Sequence, residues 1–182
     1  MTEKDKNIQL WSKLLKDDLS ALEEIYTSFH DDLYHYALKI TNQNDLAEDA
    51  LQDVFVDIWT RRSNLGSIQS LRAYLLRSVR NQCLKLLKRQ QRFTDITEAE
   101  NFDLIRPEEL ELVDPSLAIK KAITIGMASL SPRQREVLYL KYYNNLDYEE
   151  IAEVLEINYQ SVINHIHKAM IKLRDMEVLK YL

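Results

Sequence analysis

An all-α fold, with two small helical domains joined by a flexible acidic linker, is what this chain of 182 residues predicts. Three observations carry it. Glycine occurs twice and proline three times, so helix breakers are scarce. Apolar residues recur at helical spacing nearly end to end. The sign of the charge changes abruptly along the chain, and its acidic, poorly periodic stretch at 93–115 reads as a linker between one domain at 1–92 and a second at 116–182. The overall balance, 24 Lys and Arg against 29 Asp and Glu, is slightly acidic. Its distribution says more than its sum.

Ile8 to Leu15 reads as a short amphipathic helix. Leu19 to Thr41 follows, with an apolar stripe of Leu22, Ile25, Tyr26, Phe29, Leu33, Tyr36, Ala37 and Ile40. The polar triplet His30-Asp31-Asp32 is the place for an interruption. Asp45 to Arg62 is a strong helix, with Asp45 as N-cap and Glu48 at N3. Its inner stripe is Ala47, Leu51, Val54, Phe55, Ile58 and Trp59; its outer stripe is Asp45, Glu48, Asp49, Gln52, Asp53 and Asp57. Acids in a first turn suit the macrodipole. Asp53 and Asp57 lie beyond its reach, so a docking surface for a basic partner is the alternative.

From Arg61 to Thr94 there is no acid at all. Asn64, Gly66 and Ser67 mark a loop. Leu71 then opens a helix that turns Leu75, Ser78 or Val79, and Cys83 or Leu86 inward. Arg72, Arg77, Arg80, Asn81, Lys85, Lys88 and Arg89 cover much of the rest. Uncompensated cations repel one another, and a polyanion is the usual reason for them. Phe93 to Pro115 reverses the sign again: eight acids stand against Arg106 alone, with poor periodicity and Pro107 and Pro115 as punctuation. This is the linker, with a helical turn near Glu108 to Leu112. Asp114-Pro115 opens a helix running to about Leu130.

Three short capped helices close the chain. Ser131 caps the first, with Pro132 at N1 and Gln134 at N3. Asp147 caps the second, with Glu150 at N3, and Asn158 caps the third. Short connections at Asn144-Asn145-Leu146 and Glu156-Ile157 make this a helix-turn-helix. In the third helix Val162, Ile166, Ala169 and Leu173 share one stripe. Gln160, Ser161, Asn164, His167 and Lys168 point away from it, with His165 and Lys172 on a flank. Such a face suits base edges and phosphates in a major groove.

No enzyme class emerges. There is no Gly-rich phosphate loop, no serine elbow and no metal-spaced cluster, so no cofactor is expected. His30 and His35 lack neighbouring ligands, and His165 and His167 diverge by about 200° on one helix. Cys83, among leucines, is a buried thiol rather than a nucleophile. The N-terminus lacks the apolar core of a signal peptide, and no run approaches about 18 apolar residues, so a cytoplasmic protein without membrane insertion is expected.

The order of these segments resembles the extracytoplasmic-function sigma factors, small two-domain members of the bacterial sigma-70 family. AEDALQDVFVDIW (Ala47–Trp59) is similar to the region 2 helix that binds the clamp helices of the polymerase β′ subunit. LRAYLLRSVRNQCLKLLKRQ (Leu71–Gln90) is similar to the region 2 helix that reads the minus-ten element. LSPRQREVLYLKYYNNLDYEEIAEVLEINYQSVINHIHKAMIKLR (Leu130–Arg174) is similar to region 4, which reads the minus-thirty-five element. Tyr74 stands where many members have Trp, and Asn164, His165 and Lys168 where Arg and Ser are common, so promoter preference does not transfer.

The resemblance implies a protein that is not an enzyme, recruits core RNA polymerase to promoter DNA and helps open the duplex. It implies polymerase contacts from Asp45, Glu48, Asp49, Gln52 and Asp53, and a contact of region 4 with the β flap. It implies DNA contacts from Asn64, Ser67, Arg72, Arg77, Arg80, Asn81, Lys85 and Lys88, and from Tyr159, Gln160, Ser161, Asn164, His165, Lys168 and Lys172. An anti-sigma factor is the implied regulator. A stand-alone helix-turn-helix regulator is the alternative, and it leaves the acidic helix face without a role.

Overall fold

The computed structural model describes residues 3–91 and 126–175, and every regular element among them is helical. They fall into two compact units, drawn almost wholly from the two ends of the chain. The expected linker at 93–115 and most of the helix expected from Asp114 lie outside the described residues; 126–129 are helical.

The N-terminal unit holds α1 (Glu3–Leu14), α2 (Leu19–Thr41), α3 (Asn44–Arg61), a 3-10 turn (Arg62–Asn64) and α4 (Leu71–Gln91). The longest helix, α2, packs against the other three. Asp18 starts it, its carboxylate accepting from the Ser20 and Ala21 N–H groups at 3.0 and 3.3 Å. Asn42 ends it in the left-handed region at φ 54°, a conformation Asn tolerates better than most residues. The helix runs unbroken through His30-Asp31-Asp32, because Phe29 and Leu33 on either side are both buried in the core. The first helix begins five residues earlier than its apolar pattern suggests, since its leading polar turn lies outside that pattern.

Trp11, Leu14, Ile25, Leu33, Tyr36, Leu71, Leu75, Leu76 and Val79 are sealed in the core. Truncating one of the leucines to Ala costs about 2–5 kcal/mol. Asp45 is not the cap of α3. The helix starts at Asn44, Gln43 holds the cap position without a side-chain bond, and Asp45 sits in the first turn, where it still favours the macrodipole. Trp59 is half-buried, with the Arg62 guanidinium 4.1 Å above its ring. In α4 the inward choices resolve to Val79 and Cys83, with Leu87 completing the stripe.

The C-terminal unit holds α5 (Pro132–Tyr142), α6 (Tyr148–Leu155) and α7 (Tyr159–Asp175). All three caps form. Ser131 and Gln134 make a reciprocal capping box at 2.9 and 3.3 Å. Asp147 and Glu150 do the same at 2.8 and 3.0 Å, and Asn158 accepts from Ser161 N–H at 2.8 Å. Each box satisfies two N–H groups that the helix itself leaves open. Between α6 and α7, Glu156 takes φ 54° and Ile157 N–H returns to Ala152 O at 3.1 Å, a Schellman closure without glycine. The stripe Val162, Ile166, Ala169 and Leu173 is buried as the periodicity predicts. Ala169 and Leu173 share a cluster with Leu130 and Leu138.

Candidate nucleic-acid interface

On α4, Arg77, Asn81, Lys85 and Lys88 are exposed and Arg80 is half-buried. They stand on the same helix as the sealed Leu75, Leu76, Val79 and Cys83, so the core fixes where they face. The Cys83 thiol is pushed up to about 12 by burial, which makes it inert. Arg72 has a different occupation. Its guanidinium meets Asp32 at 2.6 Å and lies 5.3 Å from the centre of the Phe29 ring, with Glu3 at 3.8 Å. These are neighbours inside the unit, and they hold α4 on α2 and α1.

The acidic face of α3 divides in two. Asp45, Glu48, Asp49 and Gln52 are exposed. Asp53 and Asp57, one turn apart, lean toward α4. Gln82 Nε2 donates to Asp53 Oδ2 at 2.5 Å, and Arg61 pairs with Asp57 at 3.1 Å. Asp53, Asp57, Arg61, Tyr74, Asn81 and Lys85 together line an open groove between α3 and α4. Thus one edge of the polymerase-like face and one edge of the DNA-like face share a wall. The solvated apolar Val56 sits on α3 near Gln52, one helical turn on.

The chain from 65 to 70 links these helices. Asn64, Gly66 and Ser67 are exposed. Gly66 has an ordinary negative φ, and a Cβ there would meet nothing within 4 Å. Its carbonyl is used instead: Trp11 Nε1 donates to it at 2.9 Å. Ser70 closes the segment as the start of α4, its hydroxyl accepting from Ala73 N–H at 3.3 Å.

On α7, Gln160, Asn164, His167, Lys168 and Lys172 are exposed, and Ser161 and His165 are half-buried. Gln160 Nε2 donates to Asn164 Oδ1 at 3.3 Å, so two candidate base readers are pre-aligned on one face. Tyr159 packs beside Tyr148 at 6.0 Å between ring centres. Lys172 reaches Ser129 O at 3.2 Å, which occupies its ammonium at the carbonyl end of the preceding helical residues. Burial, and then the nearby charges of Arg133 and Lys168, lower the His165 pKa below its ordinary 6.5.

Sequence reasoning missed Trp11, Asp17, Asp32 and Gln82. No local signal marks them; each matters through a partner at least 29 residues away. Among the described residues no cluster of His, Cys, Asp and Glu could hold a metal ion, and no helix is long and apolar enough to cross a membrane.

Two family descriptions match the chain: Sigma-70 region 2 over residues 25–93 and Sigma-70 region 4 over 126–173. Among curated proteins, the chain is 22% identical over 156 residues to RNA polymerase sigma factor YlaC of Bacillus subtilis, covering 85% of this chain and 90% of that one. It is 26% identical over 148 residues to the ECF sigma factor SigM of the same organism, covering 78% and 88%. Two solved structures share the fold. One is CnrH in complex with the cytosolic domain of CnrY, with a TM-score of 0.66, 19% identity and 93% of this chain and 96% of that one covered. The other is RpoE with the anti-sigma factor NepR from Bartonella quintana, with a TM-score of 0.60, 21% identity and 87% and 96% covered. With region 2 ahead of region 4, and sigma factors on both sides of the comparison, the chain belongs to the extracytoplasmic-function group of sigma-70 RNA polymerase sigma factors, which direct transcription initiation.

Proposed function

We propose a division of labour by surface. The exposed acids of α3 dock core polymerase at its clamp helices, through Asp45, Glu48, Asp49 and Gln52, with Asp53 at the edge. The cationic side of α4, with Asn64 and Ser67 beside it, captures the minus-ten element. The outward face of α7 reads the minus-thirty-five element, and the same unit meets the β flap. The observation that supports this most is the segregation of charge on the N-terminal unit: exposed acids on α3 and exposed cations on α4 lie on one rigid core. A stand-alone regulator has no use for the first surface.

The chemistry fits the task. Cations on phosphate release counterions and give affinity without sequence information. Opening requires capture of an unstacked base at a cost of a few kcal/mol, and a loop held beside cations lowers that cost. Neither domain needs high affinity alone, because joining two modules raises the effective concentration of the second. We assign residues 1–92 and 116–182 to these two modules and 93–115 to the acidic connection, whose charge repels DNA.

Arg72 and Lys172 act differently from the other cations in this reading. Arg72 braces α4, and Lys172 steadies the start of the C-terminal unit and meets phosphate only secondarily. The protein acts by binding, without catalysis of its own, in the cytoplasm. The solved neighbours were captured with CnrY and with the anti-sigma factor NepR. A comparable anti-sigma factor is the regulator proposed for this chain. Run-off transcription on a genomic library with purified core tests the whole. Promoter-dependent transcripts that require both core and this protein are expected; binding of duplex DNA by the protein alone, with no transcripts from core in its presence, would contradict it.

A further inference from the structure

The segment from 65 to 70 has no regular structure of its own, yet its middle and the residues flanking it on both sides are tied to the N-terminal part of the chain. Before it, Arg62 pairs with Asp17 in the α1–α2 turn and donates to Trp59 O at 2.6 Å. In the middle, the indole of Trp11 donates to Gly66 O at 2.9 Å and lies 4.9 Å from the Tyr74 ring, tilted by 58°. After it, Arg72 pairs with Asp32 at 2.6 Å and reaches Glu3 at 3.8 Å. Trp11 is only 2% exposed. Its N–H is spent on a carbonyl 55 residues away, in the middle of this segment.

We propose that Trp11 is a positioning residue for base capture. By holding the Gly66 carbonyl, its indole N–H sets the path of the segment between Asn64 and Ser70. The polar side chains of Asn64 and Ser67 then meet single-stranded DNA from an ordered loop rather than a wandering one. Ordering that is complete before binding is not charged against it, and side chains held to within a fraction of an ångström discriminate better than loose ones. Arg62 and Arg72 brace the two flanks, and the indole bond holds the middle at Gly66. The inference rests on the reading of this loop as part of the minus-ten surface.

The test uses the full chain with core polymerase and a selection on randomised minus-ten elements. One variant is Trp11→Phe. The other replaces Trp11 by benzothienylalanine, which keeps the bicyclic shape and removes only the N–H donor, and so decides the matter where Trp11→Phe disturbs packing. We expect the analogue to keep wild-type core affinity and to unfold only slightly below wild type, as the loss of one hydrogen bond requires. Its preference among downstream bases should flatten by about tenfold, the scale of one lost base contact. A pre-melted template should restore its run-off yield. Asn64→Ala and Ser67→Ala serve as the reference. If they flatten the preference and the analogue does not, Trp11 is only a core residue and the proposal fails. If none of them alters it, the loop is not the reading element and both readings fall.

Discussion

The two surfaces proposed to meet DNA are built in opposite ways. On α7 the surface comes from one helix. Its stripe is buried by its own periodicity, its start is capped by Asn158 three residues before Ser161, and Gln160 aligns Asn164 from four residues away. On the N-terminal unit the surface is assembled from distant parts. Gln82 meets Asp53 across 29 residues, Arg72 meets Asp32 across 40 and Trp11 meets Gly66 across 55. A helix-turn-helix keeps its shape while its sequence face varies. The loop between α3 and α4 is instead tied from α1 and α2.

The comparison breaks most visibly if base reading on α7 is not local. Asn164→Ala or Lys168→Ala should each cost about 1–3 kcal/mol of discrimination among upstream bases. Lys172→Ala should leave the preferred bases unchanged, since its ammonium sits on Ser129 O, and should lower binding evenly. Selection on randomised minus-thirty-five elements reads all three. Identical preferences across the set would remove α7 as the reading head.

The remote construction of the other surface is tested by stability. The Arg72 and Asp32 side chains keep 29% and 38% of their exposure, so their pair is partly screened. Arg72→Ala should still cost about 1–2 kcal/mol, because it removes a charged hydrogen bond and the cover over Phe29. Arg77→Ala, on an exposed face, should stay within about 0.5 kcal/mol while impairing promoter opening. Denaturant unfolding distinguishes them, and equal costs would mean that Arg72 is one more surface cation.

A smaller effect sharpens the local side of the contrast. Ser131→Ala removes one half of a capping box and should cost the C-terminal unit about 1 kcal/mol in chemical unfolding. No loss would show that Pro132 and the packing of α5 suffice.

These contrasts explain what the sequence disclosed. The caps at Ser131, Asp147 and Asn158 and the α7 stripe were legible because each depends on spacings of three or four residues. The acidic and basic faces were legible as charge runs. That Asp53 leans toward Gln82, that Arg72 is a brace and that Asp45 follows rather than caps its helix were not. The first two depend on which helices meet, and the third on Gln43 taking an extended backbone.

The smallest expected effect concerns pH. The folded pKa of His165 lies below its unfolded value, so the unfolded chain takes up a proton first as the pH falls. Stability from this site is therefore complete above about pH 6.5 and declines below it. His165→Gln should flatten that decline in thermal unfolding between neutral and mildly acidic pH; an unchanged slope would place the titration elsewhere.

The central claim is that docking and DNA capture occupy separate surfaces of one unit. Core affinity and open-complex formation measured side by side, for Glu48→Lys with Asp49→Lys and for Arg77→Ala with Asn81→Ala, test it most directly. The first pair should lose core affinity and the second should keep it while losing open complexes. Wild-type core affinity in the first pair, or equal losses of core affinity in both, would contradict the account.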